Sequence, residues 1–121
     1  MGVFYITRAG HWAHNEGNEI KAEEWLAYVA SDPELELDPG SGEYFARWRG
    51  KSKSDVPRFG WVQGNVSAHW PDTGLYRKML KIASALGARV QDRNGTVYTK
   101  YSDWCFEPIA RNALSADLDD G

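Results

Sequence analysis

His11 and His14 stand three residues apart, with Glu16 and Glu19 close behind them and His69 far along the chain. Two imidazoles at that spacing share one helical face and can hold zinc when one or two further ligands join them. The His-Glu-x-x-His pattern is absent, and Cys105 is the sole cysteine, so no cysteine pair completes such a site. Surface or supporting histidines are the better reading, and neither a metal nor a cofactor is expected. Cys105 lies between Trp104 and Phe106. A nucleophilic thiol needs an electropositive, part-exposed setting and a partner base, whereas apolar flanks suit a small buried side chain. Gly50-Lys51-Ser52 looks like the end of a phosphate-binding loop, but Phe45 occupies the position of the required first glycine.

The carboxylates offer no acid–base pair either. Glu23 and Glu24 fall in the first turn of a predicted helix, where the helix dipole explains them. Glu34 and Glu36 alternate with Leu35 and Leu37, which points them to water, where a raised pKa is not expected. Arg77, Lys78 and Lys81 fall together on a second predicted helix, opposite a stripe of Leu75, Met79 and Ile82, and read as its wet face. No catalytic set emerges.

Aromatic side chains are abundant: six Trp, six Tyr and four Phe in 121 residues. That load fills a small core and leaves rings over for a binding surface. Trp25 is assigned to the core, and Tyr44 and Trp48 share one strand face. Trp12, Trp61, Trp70 and Trp104 lie near segment ends or loops. Between Gly50 and Gly60 runs a basic loop with Lys51, Lys53 and Arg58, flanked by Arg47 and Arg49. The expected binding residues are therefore Trp48, Arg49, Lys51, Lys53, Arg58, Trp61 and Trp70.

The elements that must position these residues follow from periodicity and turn chemistry. Phe4–Thr7 reads as a strand, Arg8–Gly17 as a loop or helical turn, and Ala22–Ala30 as a helix stopped by Asp32-Pro33. A strand at Leu35–Leu37 and its hairpin partner at Tyr44–Trp48 flank the turn Asp38–Gly42. Trp61–Ala68 suggests one strand bent at Gly64. A helix opens at Pro71-Asp72 and ends at Leu86, with Gly87 as its left-handed cap. Ala88–Gln91 and Thr96–Tyr101 form a hairpin around Asn94-Gly95. Strand–helix–strand–strand thus occurs twice, which predicts an α+β fold: an antiparallel sheet packed against two helices, built from two such units. Residues 1–104 read as a single domain and 105–121 as an extension with a frayed acidic end.

Whole-chain properties narrow the function class. A chain of this length buries one core without staples. The net charge of −3 and a pI near 5.6 argue against non-specific nucleic-acid binding and suit a basic protein partner. No secretory signal, myristoylation site (Ile6 stands where Ser or Thr is required) or membrane span is expected. A lone cysteine suits a reducing compartment, and a cytoplasmic protein is expected.

Two stretches carry a resemblance. Tyr5-Ile6-Thr7-Arg8-Ala9, then His11-Trp12, then Glu19-Ile20-Lys21-Ala22-Glu23-Glu24-Trp25-Leu26 resemble the opening of a group of small stand-alone bacterial proteins. Ala85-Leu86-Gly87-Ala88-Arg89-Val90-Gln91, running into Asn94-Gly95-Thr96-Val97-Tyr98, resembles their closing hairpin. The resemblance transfers no catalytic residues. It implies a bacterial cytoplasmic protein in the style of compact toxin-neutralising proteins. The leading expectation is a non-enzymatic module that binds a protein partner, an immunity protein occluding a toxin, with Glu34 and Glu36 steering association. The alternatives are a small enzyme or ligand-binding domain with a pocket between the two units, and a single-stranded nucleic-acid binder using stacked aromatics and the basic loop.

Overall fold

The computed structural model describes residues 3–50, 57–69, 71–100 and 103. Their strands are β1 (Val3–Thr7), β2 (Leu35–Leu37), β3 (Phe45–Trp48), β4 (Arg58–Val62), β5 (Asn65–His69), β6 (Arg89–Gln91) and β7 (Val97–Tyr98); the helices are α1 (Ala22–Ser31) and α2 (Thr73–Leu86). All strands join one seven-stranded sheet in the order β2-β3-β4-β5-β1-β6-β7. Every neighbouring pair is antiparallel. The α+β arrangement of an antiparallel sheet on two helices is the one expected. The two repeated units do not form separate halves, because β1 inserts between β5 and β6 of the second.

Strand alternation separates two faces. Register places Leu35 opposite Trp48, Ala46 opposite Phe59, Trp61 opposite Val66, Phe4 opposite Ala68, and Ile6 opposite both Val66 and Val90. Apart from the partly buried Trp61, which packs against them, these side chains form one buried cluster with Trp25 and Val29 of α1 and Leu75, Tyr76, Met79 and Ile82 of α2. Each such apolar side chain, once fully buried, contributes about 1.5–3 kcal/mol. Among the described residues the opposite sheet face carries no helix.

Helix ends follow their sequence signals. The Asp72 carboxylate accepts the Leu75 N–H at 2.9 Å and starts α2. Gly87 closes it at φ 65°, and the Ala88 N–H returns to the Ala83 carbonyl at 2.8 Å. At α1 the Lys21 N–H donates to Glu24 Oε1 at 3.0 Å, half of a capping box.

Two expectations need correction. Trp61–Ala68 is not one bent strand. It spans a hairpin in which β4 turns into β5 through Gln63-Gly64, with φ 51° and 88° and Val62 paired to Asn65. Two left-handed residues in a two-residue loop make the turn whose twist matches the strands. Gln in its first position hid it, because Asn or Asp is the usual signal there. Likewise, Arg58 to Gly60 belong to β4 rather than to a long loop. Lys51, Lys53, Trp70, Trp104, Cys105 and the expected 105–121 extension lie outside the described residues. No helix among the described residues is long and apolar enough to cross a membrane.

Candidate binding face of the sheet

The described tryptophans separate by face. Trp25 is fully buried and its indole N–H donates to the Tyr44 carbonyl at 2.9 Å. The Trp61 indole donates to the Ile20 carbonyl at 2.7 Å, and that of Trp48 to Glu34 Oε1 at 3.3 Å. Trp48 and Trp61 both point to the helix-covered side, and Trp48 is only 8% exposed. Both were expected as contact residues; Trp48 is nearly enclosed, whereas Trp61 stays partly exposed, and each indole also staples the sheet to a segment that crosses it. The alternation Tyr44, Ala46, Trp48 held the signal, since Ala46 is fully buried on the same face.

Lys78 also departs from its expected place on the wet face of α2. Its side chain is 6% exposed, and its ammonium lies 2.8 Å from Asp32 Oδ2 and 2.7 Å from Glu34 Oε1. The Tyr28 hydroxyl donates to the same Asp32 oxygen at 2.6 Å. Burial lowers the Lys78 pKa, but hydrogen bonds to the two carboxylates outweigh it and hold the pKa above the usual value. Burial likewise pushes Asp32 up, and the bonds from Lys78 and Tyr28 more than offset this, leaving it below the carboxylate range. A lysine held charged in this way is a poor nucleophile or base. The cluster ties α2 to the α1–β2 connection. It also occupies Glu34, while Glu36 pairs with Arg49 at 3.2 Å. Both glutamates, expected to steer association, are thus ion-paired within the chain while their side chains stay more than half exposed.

The face free of described helices carries Phe45, Tyr5, Arg47 and Arg58. Register runs a row from Phe45 through Gly60, Ser67 and Tyr5 to Gln91 and Val97. The Phe45 ring packs against Gly60: a Cβ there would sit 2.6 Å from its Cζ. In the next row Arg47 stands directly opposite Arg58, with Glu36 on the far side of Arg47. Both arginines are exposed. Arg47 reaches Asp38 at 3.7 Å, and among the described residues Arg58 has no ion pair.

The other half of this face is crossed by the segment after β1. Trp12 stacks on Tyr5 with ring centroids 3.9 Å apart and planes 8° from parallel. The fully buried Gln91 holds the crossing: its Oε1 accepts the Trp12 N–H at 2.9 Å and its amide donates to the Gly10 carbonyl at 2.8 Å. Asn65 donates to the Trp12 carbonyl at 2.9 Å, and Asn15 donates to the Gln63 carbonyl at 2.8 Å. A cleft of about 290 Å³ remains between this segment and the β4–β5 turn, lined by Tyr5, Trp12, Asn15, Gln63, Asn65 and Ser67. Its polar groups are amides and hydroxyls.

His11 and His14 sit on this crossing segment with rings 5.5 Å apart. His11 Nδ1 accepts the Ala13 N–H at 3.1 Å. His69 lies at the opposite end of β5 from Asn65, away from both. Among the described residues no three His, Cys, Asp or Glu side chains converge as a metal site.

Comparison with known proteins finds no family model, no curated protein and no solved structure that matches this chain.

Proposed function

We propose that this chain is a non-enzymatic binding protein that receives a protein partner on the helix-free face of its sheet, as an immunity protein occludes a toxin. One observation carries the reading: among the described residues nothing crosses the β3–β4 half of that face, where Phe45 packs against Gly60 in the row beside the exposed Arg47 and Arg58, while the other half is covered by the chain's own loop. Aromatic and arginine side chains dominate interface energetics. The most perturbed charged groups, by contrast, are consumed in structural bonds. Of the residues expected from sequence, Arg49 and Arg58 belong to this surface, joined by Phe45 and Arg47. A bacterial cytoplasmic setting belongs to the same proposal.

Affinity capture with the full chain tests it. A partner retained by the wild type and by Lys81→Gln on α2, but lost from Phe45→Ala, supports the face. A partner that ignores Phe45→Ala and Arg58→Gln alike sinks it.

A second reading draws on the cleft beside Trp12, whose amide and hydroxyl lining suits a small neutral ligand rather than an ion. It does not lie between two halves. Titration of neutral monosaccharides and nucleosides against tryptophan fluorescence, with Trp12→Phe as control, tests that reading.

A further inference from the structure

We infer that the partner presents an acidic segment, and that the Arg47–Arg58 pair is the receptor for its carboxylates. This rests on the reading of the helix-free face as the binding site and names the chemistry of what sits there.

Like charges directly opposite one another on antiparallel strands destabilise a sheet, because their Cβ atoms are only about 4.5–5.5 Å apart. Arg47 and Arg58 are such a pair, in register and exposed. Three other cations are matched more closely: Arg8 with Glu24 at 2.8 Å, Lys78 with Asp32 at 2.8 Å, and Arg49 with Glu36 at 3.2 Å. Arg47 has only the longer contact to Asp38, and Arg58 has none among the described residues. A like-charged pair relieved on the Arg47 side alone, beside the Phe45 ring, is what a site kept open for an anion looks like. Two guanidinium forks with an apolar floor match a carboxylate carried on a short apolar stem.

Carboxylates fit better than a phosphate backbone. The chain carries a net charge of −3, which repels a polyanion at long range. Glu36 and Asp38 line the β2 side of the pair, where a backbone running across the strands would have to pass. An isolated acidic side chain entering between Arg47 and Arg58 avoids both.

The test uses the full chain and fluorescence anisotropy with two labelled probes, a ten-residue Gly-Ser peptide carrying one central Leu-Glu and a ten-nucleotide oligothymidine, at low salt. The Leu-Glu peptide should bind, and Arg47→Gln or Arg58→Gln should weaken it about tenfold or more, the scale of a lost charge-assisted hydrogen bond. Lys81→Gln, on the exposed side of α2, should leave binding unchanged. Arg58→Gln should also raise the melting temperature, since it relieves the repulsion; a merely structural arginine would lower it. Tighter binding of oligothymidine through the same arginines overturns the proposal, as does equal loss of peptide binding in Lys81→Gln or a fall in melting temperature for Arg58→Gln. If a captured protein partner is lost from Phe45→Ala yet kept by both arginine variants, the acidic chemistry fails while the face survives.

Discussion

The Lys78 ammonium lies 2.8 Å from Asp32 Oδ2 with both side chains nearly enclosed, 6% and 9% exposed, and this pair clamps α2 to the end of α1. Removing one member of a buried ion pair strands the other charge, which costs about 3–5 kcal/mol. Lys78→Met should therefore destabilise by that order in urea unfolding. The double variant Lys78→Met/Asp32→Asn should recover part of the loss, because Asn keeps an acceptor for the Tyr28 hydroxyl and the Glu34 N–H. A double variant no more stable than the single one would show that charge is not what the site needs.

The same cluster sets a pH profile. Asp32 is held below its usual value, so its contribution is complete above about pH 4 and fades as pH falls through the folded pKa. Lys78 is held above its usual value, so its contribution is complete below about pH 10 and fades as pH rises through the folded pKa. Melting temperature should be flat between these limits. In Lys78→Met the alkaline decline should shrink.

Arg8 grips Glu24 with two bonds of 2.8 and 2.9 Å while its Nε donates to the Leu86 carbonyl at 2.8 Å, so one guanidinium joins the start of α1 to the end of α2. The Arg8 hydrogen bond, helped by the Lys21 N–H, lowers the Glu24 pKa to about 2. This contribution is present above the unfolded value and lost as pH falls toward 2. An NMR titration should find the Glu24 midpoint near 2, and Arg8→Ala should raise it toward the ordinary glutamate range but not fully to it, since the Lys21 N–H bond remains. Arg8→Lys should not restore it, since an ammonium lacks the fork.

Gln91 is the buried peg that holds the Trp12 segment against the sheet. Gln91→Leu keeps its volume but leaves the Trp12 N–H and the Gly10 carbonyl without their partner. The expected cost is about 1–3 kcal/mol. Hydrogen exchange at the Trp12 amide should accelerate more than at Val66, in the middle of the sheet. Uniform acceleration would assign Gln91 to the core instead.

Gly60 is needed because the Phe45 ring occupies the space of its side chain. Gly60→Ala should drive the ring off the face and cost about 1–3 kcal/mol, the usual price of overpacking. Partner capture should fall with it, even though Gly60 itself offers no contact.

Much of the scaffold is written locally. Asp72, the Leu75–Met79–Ile82 spacing and Gly87 specify α2, because caps and helical periodicity act within a few residues. Leu35–Leu37 and Phe45–Trp48 pair as the alternation and the Asp38–Gly42 turn predict. The burial of Trp25 was legible in the same way. What local pattern cannot carry is which strands become neighbours. The partner of Lys78 lies 46 residues away, so helical spacing placed it with Arg77 and Lys81 in water. The insertion of β1 between β5 and β6 brings Tyr5 beside Gln91 and beneath Trp12. The register of β3 on β4 sets Arg47 against Arg58. Local chemistry determined the elements and one face of each; strand order and register, which depend on burying the whole core at once, decided which side chains meet.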